Sequence, residues 1–460
     1  MEIVFFNTLG REYQRFEPLE DVVKIYCCGP TVYHFAHLGN FRSYIFEDIL
    51  VRFLRKSGFS VKHVMNITDV GHLVSDADEG EDKMVLAAKR EKKDVLEIAR
   101  FYSDVFFDDA RKLNILKPDI VCRATEHIPQ MISLIKKLEA RGFTYFAGGN
   151  VYFDTSKFPD YSKLRAGQDK SSVARVEEDP NKKNQEDFVL WFTKSKYRDH
   201  ILLWDSPWGL GYPGWHIECS AMAMTHLGET LDIHCGGVDH IPIHHTNEIA
   251  QSECATGKLF SRFWLHNEFV LFNNDKMSKS KGSIVTVSDI DSKGFDPLDY
   301  RYLCLLVHYR TQLNFTEETL KSARTARQNL VLTLAKFLAE NRLSVSQIES
   351  TSSFKYLSTV AEDLNTPKLL GQIWTDIENL TVDTVSSILE IDEVLGLNLK
   401  SKIISCLTLD TQAQEIAAQR EISRKNKRFE ESDKLRDVLT EKGYLVFDTN
   451  QGQIVLNRNI

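Results

Sequence analysis

A strand, a tight turn and a helix start near the N-terminus, answered by a lysine loop far downstream, constrain this fold more than any other feature. Val22-Val23-Lys24-Ile25-Tyr26 is an apolar-bounded run of strand length, and His37-Leu38-Gly39-Asn40 follows it to open the amphipathic segment 41–54. Such a unit leaves unpaired N–H groups and the positive end of a helix dipole at the turn, where one end of a phosphate chain can sit. Lys276-Met277-Ser278-Lys279-Ser280, closed by Gly282 in a polar stretch that starts at Asn273, adds two lysines and two hydroxyls on a loop. Lysines placed this way neutralise charge that develops during phosphoryl or nucleotidyl transfer. Together the two segments suit a nucleoside triphosphate.

The 460 residues correspond to roughly two to four domains of ordinary size. A hydrophobic content of 42% with 27% charged residues is that of a soluble globular protein. No apolar run approaches the roughly 20 residues that span a bilayer, so no membrane association is expected. Met1-Glu2-Ile3-Val4-Phe5-Phe6-Asn7 lacks the basic start and long apolar stretch of a signal peptide. Eight cysteines, with Cys27 and Cys28 adjacent, fit reduced cytoplasmic thiols better than a disulfide framework. The net charge of −8 argues against a polybasic coat for nucleic acid, although a local basic patch stays compatible with a nucleic-acid partner.

The periodicity predicts an α/β fold: a split Rossmann-like parallel-sheet catalytic domain with an α+β insertion, then a helical bundle and a small mixed α/β module. The expected boundaries are 1–119 for the first catalytic half, 120–205 for the insertion, 206–294 for the second half, 295–400 for the bundle and 401–460 for the C-terminal module. Strands are expected at 22–26 and 61–67, a helix near 41–56, and a long charged helix around 82–113. A hairpin is expected over 143–153, and a charged, flexible stretch over 168–187. From 295 to 397 the pattern is nearly all helical. A single helix over 412–442 then precedes two short β-rich runs, 444–447 and 453–456.

Pro242-Ile243-His244-His245-Thr246-Asn247-Glu248 reads as a helix start. His244 and Glu248 stand at i and i+4, so both project from one face, as two ligands of one metal do. His245 lies about 100° away on a helical wheel and falls outside that face. From spacing alone the other ligands stay open among Cys28, Cys219, Cys235 and Cys254. Thiolate, imidazole and carboxylate together suit Zn²⁺ rather than Mg²⁺ or Ca²⁺.

The paired segments around His37 and Lys276 resemble the HIGH and KMSKS signatures of class I aminoacyl-tRNA synthetases, the second letter for letter and the first with Asn40 in its last place. Cys28-Gly29-Pro30-Thr31-Val32-Tyr33, Asn66-Ile67-Thr68-Asp69, Asp187-Phe188-Val189-Leu190-Trp191, Ser206-Pro207-Trp208-Gly209, Pro213-Gly214-Trp215-His216-Ile217-Glu218-Cys219-Ser220 and the run 232–252 resemble cysteinyl-tRNA synthetase specifically. The resemblance covers nearly the whole chain. It implies one zinc ion per chain on Cys28, Cys219, His244 and Glu248, with Cys27 an ordinary buried thiol and Cys235 near the site without a role. It implies catalytic roles for His37, Lys276 and Lys279, and contacts to Mg-ATP from Gly39, Asn40, Asp239 and Lys279. Thr31, Thr68 and Trp215 are implied to hold the amino acid. The implied substrates are L-cysteine, ATP with Mg²⁺ and tRNA(Cys), whose 3′-terminal adenosine takes the cysteinyl group, with zinc–thiolate recognition rejecting serine. The insertion is implied to meet the acceptor end and the tail to read the anticodon, in a cytoplasmic enzyme expected to be a monomer.

Asn40 is expected to retune ATP binding without abolishing it, and the acidic stretch 71–83 departs from the family's compact turn. A ligase that passes cysteinyl-adenylate to an amino-sugar would lack the C-terminal module, whereas this chain keeps Arg424-Lys425-Asn426-Lys427-Arg428-Phe429 and Ser432-Asp433-Lys434-Leu435-Arg436-Asp437. A zinc or RNA binder without catalysis would have no use for the lysine loop.

Overall fold

Near-continuous apolar runs build a parallel sheet covered on both faces. Its strands are β1 (Val22–Cys27), β2 (Ser60–Ile67), β3 (Ile120–Arg123), β4 (Leu231–Gly237) and β5 (Ser261–Asn267). All pair in parallel, in the spatial order β5-β4-β1-β2-β3. The order reverses between β1 and β4, and the crevice beyond the carboxyl ends of strands at such a reversal is where ligands bind in open α/β sheets. The computed structural model describes residues 1–70, 94–165, 179–194, 202–273, 275–276, 284–348, 355–450 and 452–458. The chain forms two compact units, Met1–Asp289 with Tyr309–Leu313, and Ile290–His308 with Asn314–Ile460.

In the first unit, helix α1 (Leu38–Lys56) starts at the His37 turn, three residues earlier than the apolar pattern alone marks. Helices α2 (Trp215–Leu227) and α3 (Thr246–Thr256) flank β4 in sequence. A separate antiparallel sheet orders Thr144–Ala147, Asn150–Phe153, Phe188–Phe192 and Tyr212–Pro213. Its first two strands form the expected hairpin, turned by Gly148 and Gly149 at φ 59° and 94°. The chain re-enters the parallel sheet at Ile120–Arg123 and leaves the antiparallel one at Tyr212–Pro213, so this sheet begins and ends later than the expected insertion. Of the long charged helix, the described part is Val95–Lys112, begun by a capping box between Asp94 and Glu97. Residues 82–93 of the expected helix, the acidic stretch 71–83 and much of 168–187 lie outside the described residues.

The second unit is mainly helical, with a buried ion network in which Arg327 reaches Asp299 at 2.9 Å and Asp296 at 3.1 Å. Among the described residues one short strand, Leu313–Phe315, whose first residue belongs to the first unit, interrupts the stretch expected to be nearly all helical. The expected single helix over 412–442 is two, Thr411–Lys425 and Phe429–Glu441, broken where Lys427 turns left-handed at φ 58°. A continuous polar helix would leave its small apolar stripe in water. Folding back lets Ala413, Ala417, Leu439 and Tyr444 share one small core. The hairpin Tyr444–Thr449 with Gly452–Asn457 closes this module, and Arg420, Arg424 and Arg436 converge on its Asp448.

Candidate active site

A cavity of about 380 Å³ opens beyond the carboxyl ends of β1 and β4. Its wall contains Cys28, Thr31, His37, Gly39, Asn40, Thr68, Trp215, Cys219, Asp239 and His244, residues that lie far apart in the sequence. Glu248 completes the group behind the wall, its Oε1 3.1 Å from His244 Nε2. Lys276 pairs through its backbone with Leu271. Its side chain, and all of Lys279, lie outside the described residues.

One end of the cavity gathers soft donors. The ligand atoms of Cys28, Cys219, His244 and Glu248 all lie within 4.8 Å of one another and are buried. Cys28 Sγ is 4.0 Å from Cys219 Sγ and 3.9 Å from Glu248 Oε1. The hydrogen bond from Cys28 draws the Cys219 thiol down to about 6 against the cost of burial, while burial pushes Cys28 well up, so Cys219 ionises first. Burial opposes ionisation of Glu248, but His234 and His244 outweigh it and hold the carboxyl at about 2. Two thiols, one imidazole and one carboxylate form a donor set that fits Zn²⁺.

Buried groups fix these donors in turn. His234 Nε2 donates to Glu248 Oε2 at 2.9 Å, leaving Oε1 for the cluster. His216 Nδ1 meets His244 Nδ1 at 2.9 Å, which turns Nε2 of His244 toward Glu248. Ring partners of this kind set the tautomer and orientation of metal-ligating histidines. A π-helical turn, Ile241–His245, precedes α3 and alters the helical wheel. His245 stands outside the set that holds His244 and Cys219, with its Nε2 3.4 Å from Cys28 Sγ and its Nδ1 2.8 Å from His266 Nε2. Cys28, His234, His245 and Glu248 thus form a second overlapping donor set. Gly236 is required beside it, because a Cβ there would stand 2.6 Å from the His245 ring. Cys235 and Cys27 are register partners on β4 and β1, both fully buried.

The other end of the cavity is the start of α1. His37 is its N-cap: its Nδ1 accepts the Asn40 N–H at 3.3 Å, and Asn40 Oδ1 accepts the His37 N–H at 3.1 Å. This reciprocal pair is a capping box, which satisfies two helix-start donors. Leu38 N–H donates to Val285 O at 2.8 Å. The buried Arg42 guanidinium donates to the carbonyls of Glu268, Phe269 and Thr311, tying α1 to the backbone that leads into the strand Val270–Phe272 and its partner Asp275–Lys276.

Between the two ends, Thr31 and Thr68 form an isolated parallel bridge just past β1 and β2. Asn66 Nδ2 donates to Thr68 Oγ1 at 3.0 Å, and Gly29 N–H donates to Asn66 Oδ1 at 2.8 Å. Only glycine fits at 29, because a Cβ would lie 1.7 Å from the Asn66 carbonyl oxygen. Trp215 sits 4.4 Å, centroid to centroid, from His244 and so stands beside the donor set. Sequence reasoning missed His216, His234, His266, Asn66 and Arg42. The available signal was a polar residue within an otherwise buried run, as at His234 in Leu231–Gly237.

The family described as tRNA synthetases class I (C) catalytic domain matches residues 15–325. The cysteine–tRNA ligase of Treponema denticola is 46% identical over 484 residues, covering 97% of this chain and 98% of that protein. The cysteine–tRNA ligase of Borrelia hermsii is 43% identical over 480 residues, covering 98% and 99%. Mycobacterium tuberculosis methionyl-tRNA synthetase in complex with methionyl-adenylate shares the fold, with a TM-score of 0.61 at 17% identity over 87% of this chain and 96% of that one. With the His37 turn, Cys28, Trp215, Cys219 and His244 brought to one cavity at the sheet's reversal point, the chain belongs to the cysteine–tRNA ligase family of class I aminoacyl-tRNA synthetases.

Proposed function

We propose that the chain activates L-cysteine with Mg-ATP and transfers it to the 3′-terminal adenosine of tRNA(Cys). The cysteine carboxylate attacks the α-phosphate, releasing pyrophosphate and forming cysteinyl-adenylate. A hydroxyl of the terminal ribose then attacks the activated carbonyl and AMP leaves. The observation that carries the reading is one cavity joining a soft four-donor set to the capped start of α1.

Cys28, Cys219, His244 and Glu248 would hold one Zn²⁺. Of the two overlapping sets, this one has three donors in the cavity wall, whereas His234 and His245 lie behind it. Bound zinc supplies a soft Lewis acid that favours the substrate's thiolate over the hydroxyl of serine. Thr31 and Thr68 position the amino acid, and Trp215 closes the wall beside His244. Asp239 and the backbone at Gly39 contact the nucleotide. His37 presents its Nε2 to the phosphates, because Nδ1 is engaged by Asn40. Lys276 and Lys279 neutralise charge developing on the triphosphate.

The insertion, expected over 120–205, meets the acceptor end, the 295–400 bundle supports the module at 401–460, and that module reads the anticodon through basic and short polar groups. The reading includes a monomer in the cytoplasm. Among the described residues no helix is long and apolar enough to cross a membrane. Charging of unfractionated tRNA with radiolabelled cysteine, in the presence of ATP, magnesium and zinc, tests the whole scheme. Acid-precipitable label is expected. Adenylate formation without labelled tRNA would favour the amino-sugar ligase reading.

A further inference from the structure

The loop that runs from β1 to the His37 turn carries aromatic side chains beyond what the amino acid and ATP need. Phe35 lies on this loop and Phe101 on the helix Val95–Lys112, and each is 40% exposed. Their ring centroids are 6.3 Å apart at 73°. Both rest on Tyr102, which is buried, at 5.1 Å from Phe35 and 5.1 Å from Phe101. His34 stacks parallel to the same tyrosine, at 3° and 6.3 Å. His34, Phe35 and Tyr102 also belong to the cavity wall. The two phenylalanines therefore form a partly exposed shelf on the buried Tyr102, beside the cavity wall that Phe35 joins.

We propose that this shelf is a stacking site for an unpaired nucleobase at the 3′ end of the tRNA during aminoacyl transfer. The inference rests on the tRNA-charging reading. That substrate must bring its terminal nucleotides to the cavity from outside, and unstacked bases are flat, apolar-faced groups that pair with aromatic rings. A stable protein partner would need about 1,000 Å² or more of contact, which two partly exposed rings do not offer. One base needs a single ring face. The Tyr102 anchor keeps both rings in place before binding, which lowers the ordering cost of stacking.

The two half-reactions separate this role from a structural one. In Phe101→Ala, ATP–pyrophosphate exchange driven by cysteine, with RNA absent, stays within about twofold of the parent. Transfer from preformed cysteinyl-adenylate to tRNA falls about tenfold or more in the same variant. Phe101→Tyr and Phe101→Trp restore transfer because they keep a ring face, and Phe101→Leu does not. Phe35→Ala is expected to lower transfer more than exchange. Unchanged transfer in Phe101→Ala, equal losses in both half-reactions, or full rescue by leucine would overturn the shelf. Failure of the parent chain to charge any tRNA would instead remove the reading beneath it.

Discussion

At the cysteine end of the cavity the imidazole and carboxylate donors are each held by a second buried group, whereas at the start of α1 the described side-chain bonds run to backbone groups at an exposed turn. Glu248 is oriented by His234, His244 by His216, and His245 by His266, all with little or no exposure. Opposite them, His37 and Asn40 hold each other at a solvent-exposed helix start. The contrast matches the chemistry proposed for each end. A metal that must distinguish sulfur from oxygen requires donors fixed before the substrate arrives. A triphosphate already carries its charge and needs amides and mobile cations arranged around it. The cysteine end should therefore respond sharply to substitution, and the nucleotide end by degrees.

The strongest test of that contrast is removal of a donor. His244→Ala is expected to abolish stoichiometric zinc and to lower cysteine-dependent exchange by about 10³-fold, read by metal analysis and kinetics. Retained zinc would point to the overlapping set of Cys28, His234, His245 and Glu248. Next comes His37→Ala, expected to lower the exchange kcat about 10²-fold while zinc content stays at one per chain. Zinc loss in this variant would erase the distinction between the ends. His234→Ala removes the group that orients Glu248, and zinc affinity measured against a chelator should drop about 10- to 100-fold. The smallest effect is expected at Asn40. Asn40→Ala loses one arm of the capping box and about 1 kcal/mol of stability by denaturant titration, with a several-fold change in the KM for ATP. Asn40→His is expected to change adenylation less than about tenfold. A gain of several orders of magnitude would show that asparagine cripples the site.

The same contrast governs what was legible in the sequence. Runs such as Val22–Tyr26 and the glycine-turned hairpin announced their elements, because burial on both faces and positive φ leave plain residue signatures. His244 and Glu248 are legible through helical spacing, yet the π-helical turn Ile241–His245 has no such periodicity and looks in sequence like an ordinary helix start. The supporting histidines come from β4, α2 and β5, so their convergence is a property of the sheet order and of no local pattern. The break at Lys427 was hidden for a different reason: a polar stretch has good helix propensity throughout, and only the shared core of Ala413, Ala417, Leu439 and Tyr444 favours folding back.

Zinc K-edge X-ray absorption of the full chain tests the central claim most directly, since it counts sulfur neighbours. Cys28, Cys219, His244 and Glu248 predict two sulfur and two nitrogen or oxygen neighbours, rising to three sulfurs when cysteine is added and unchanged by serine. A single sulfur neighbour, or a spectrum indifferent to cysteine, would contradict the assignment of this donor set to substrate recognition.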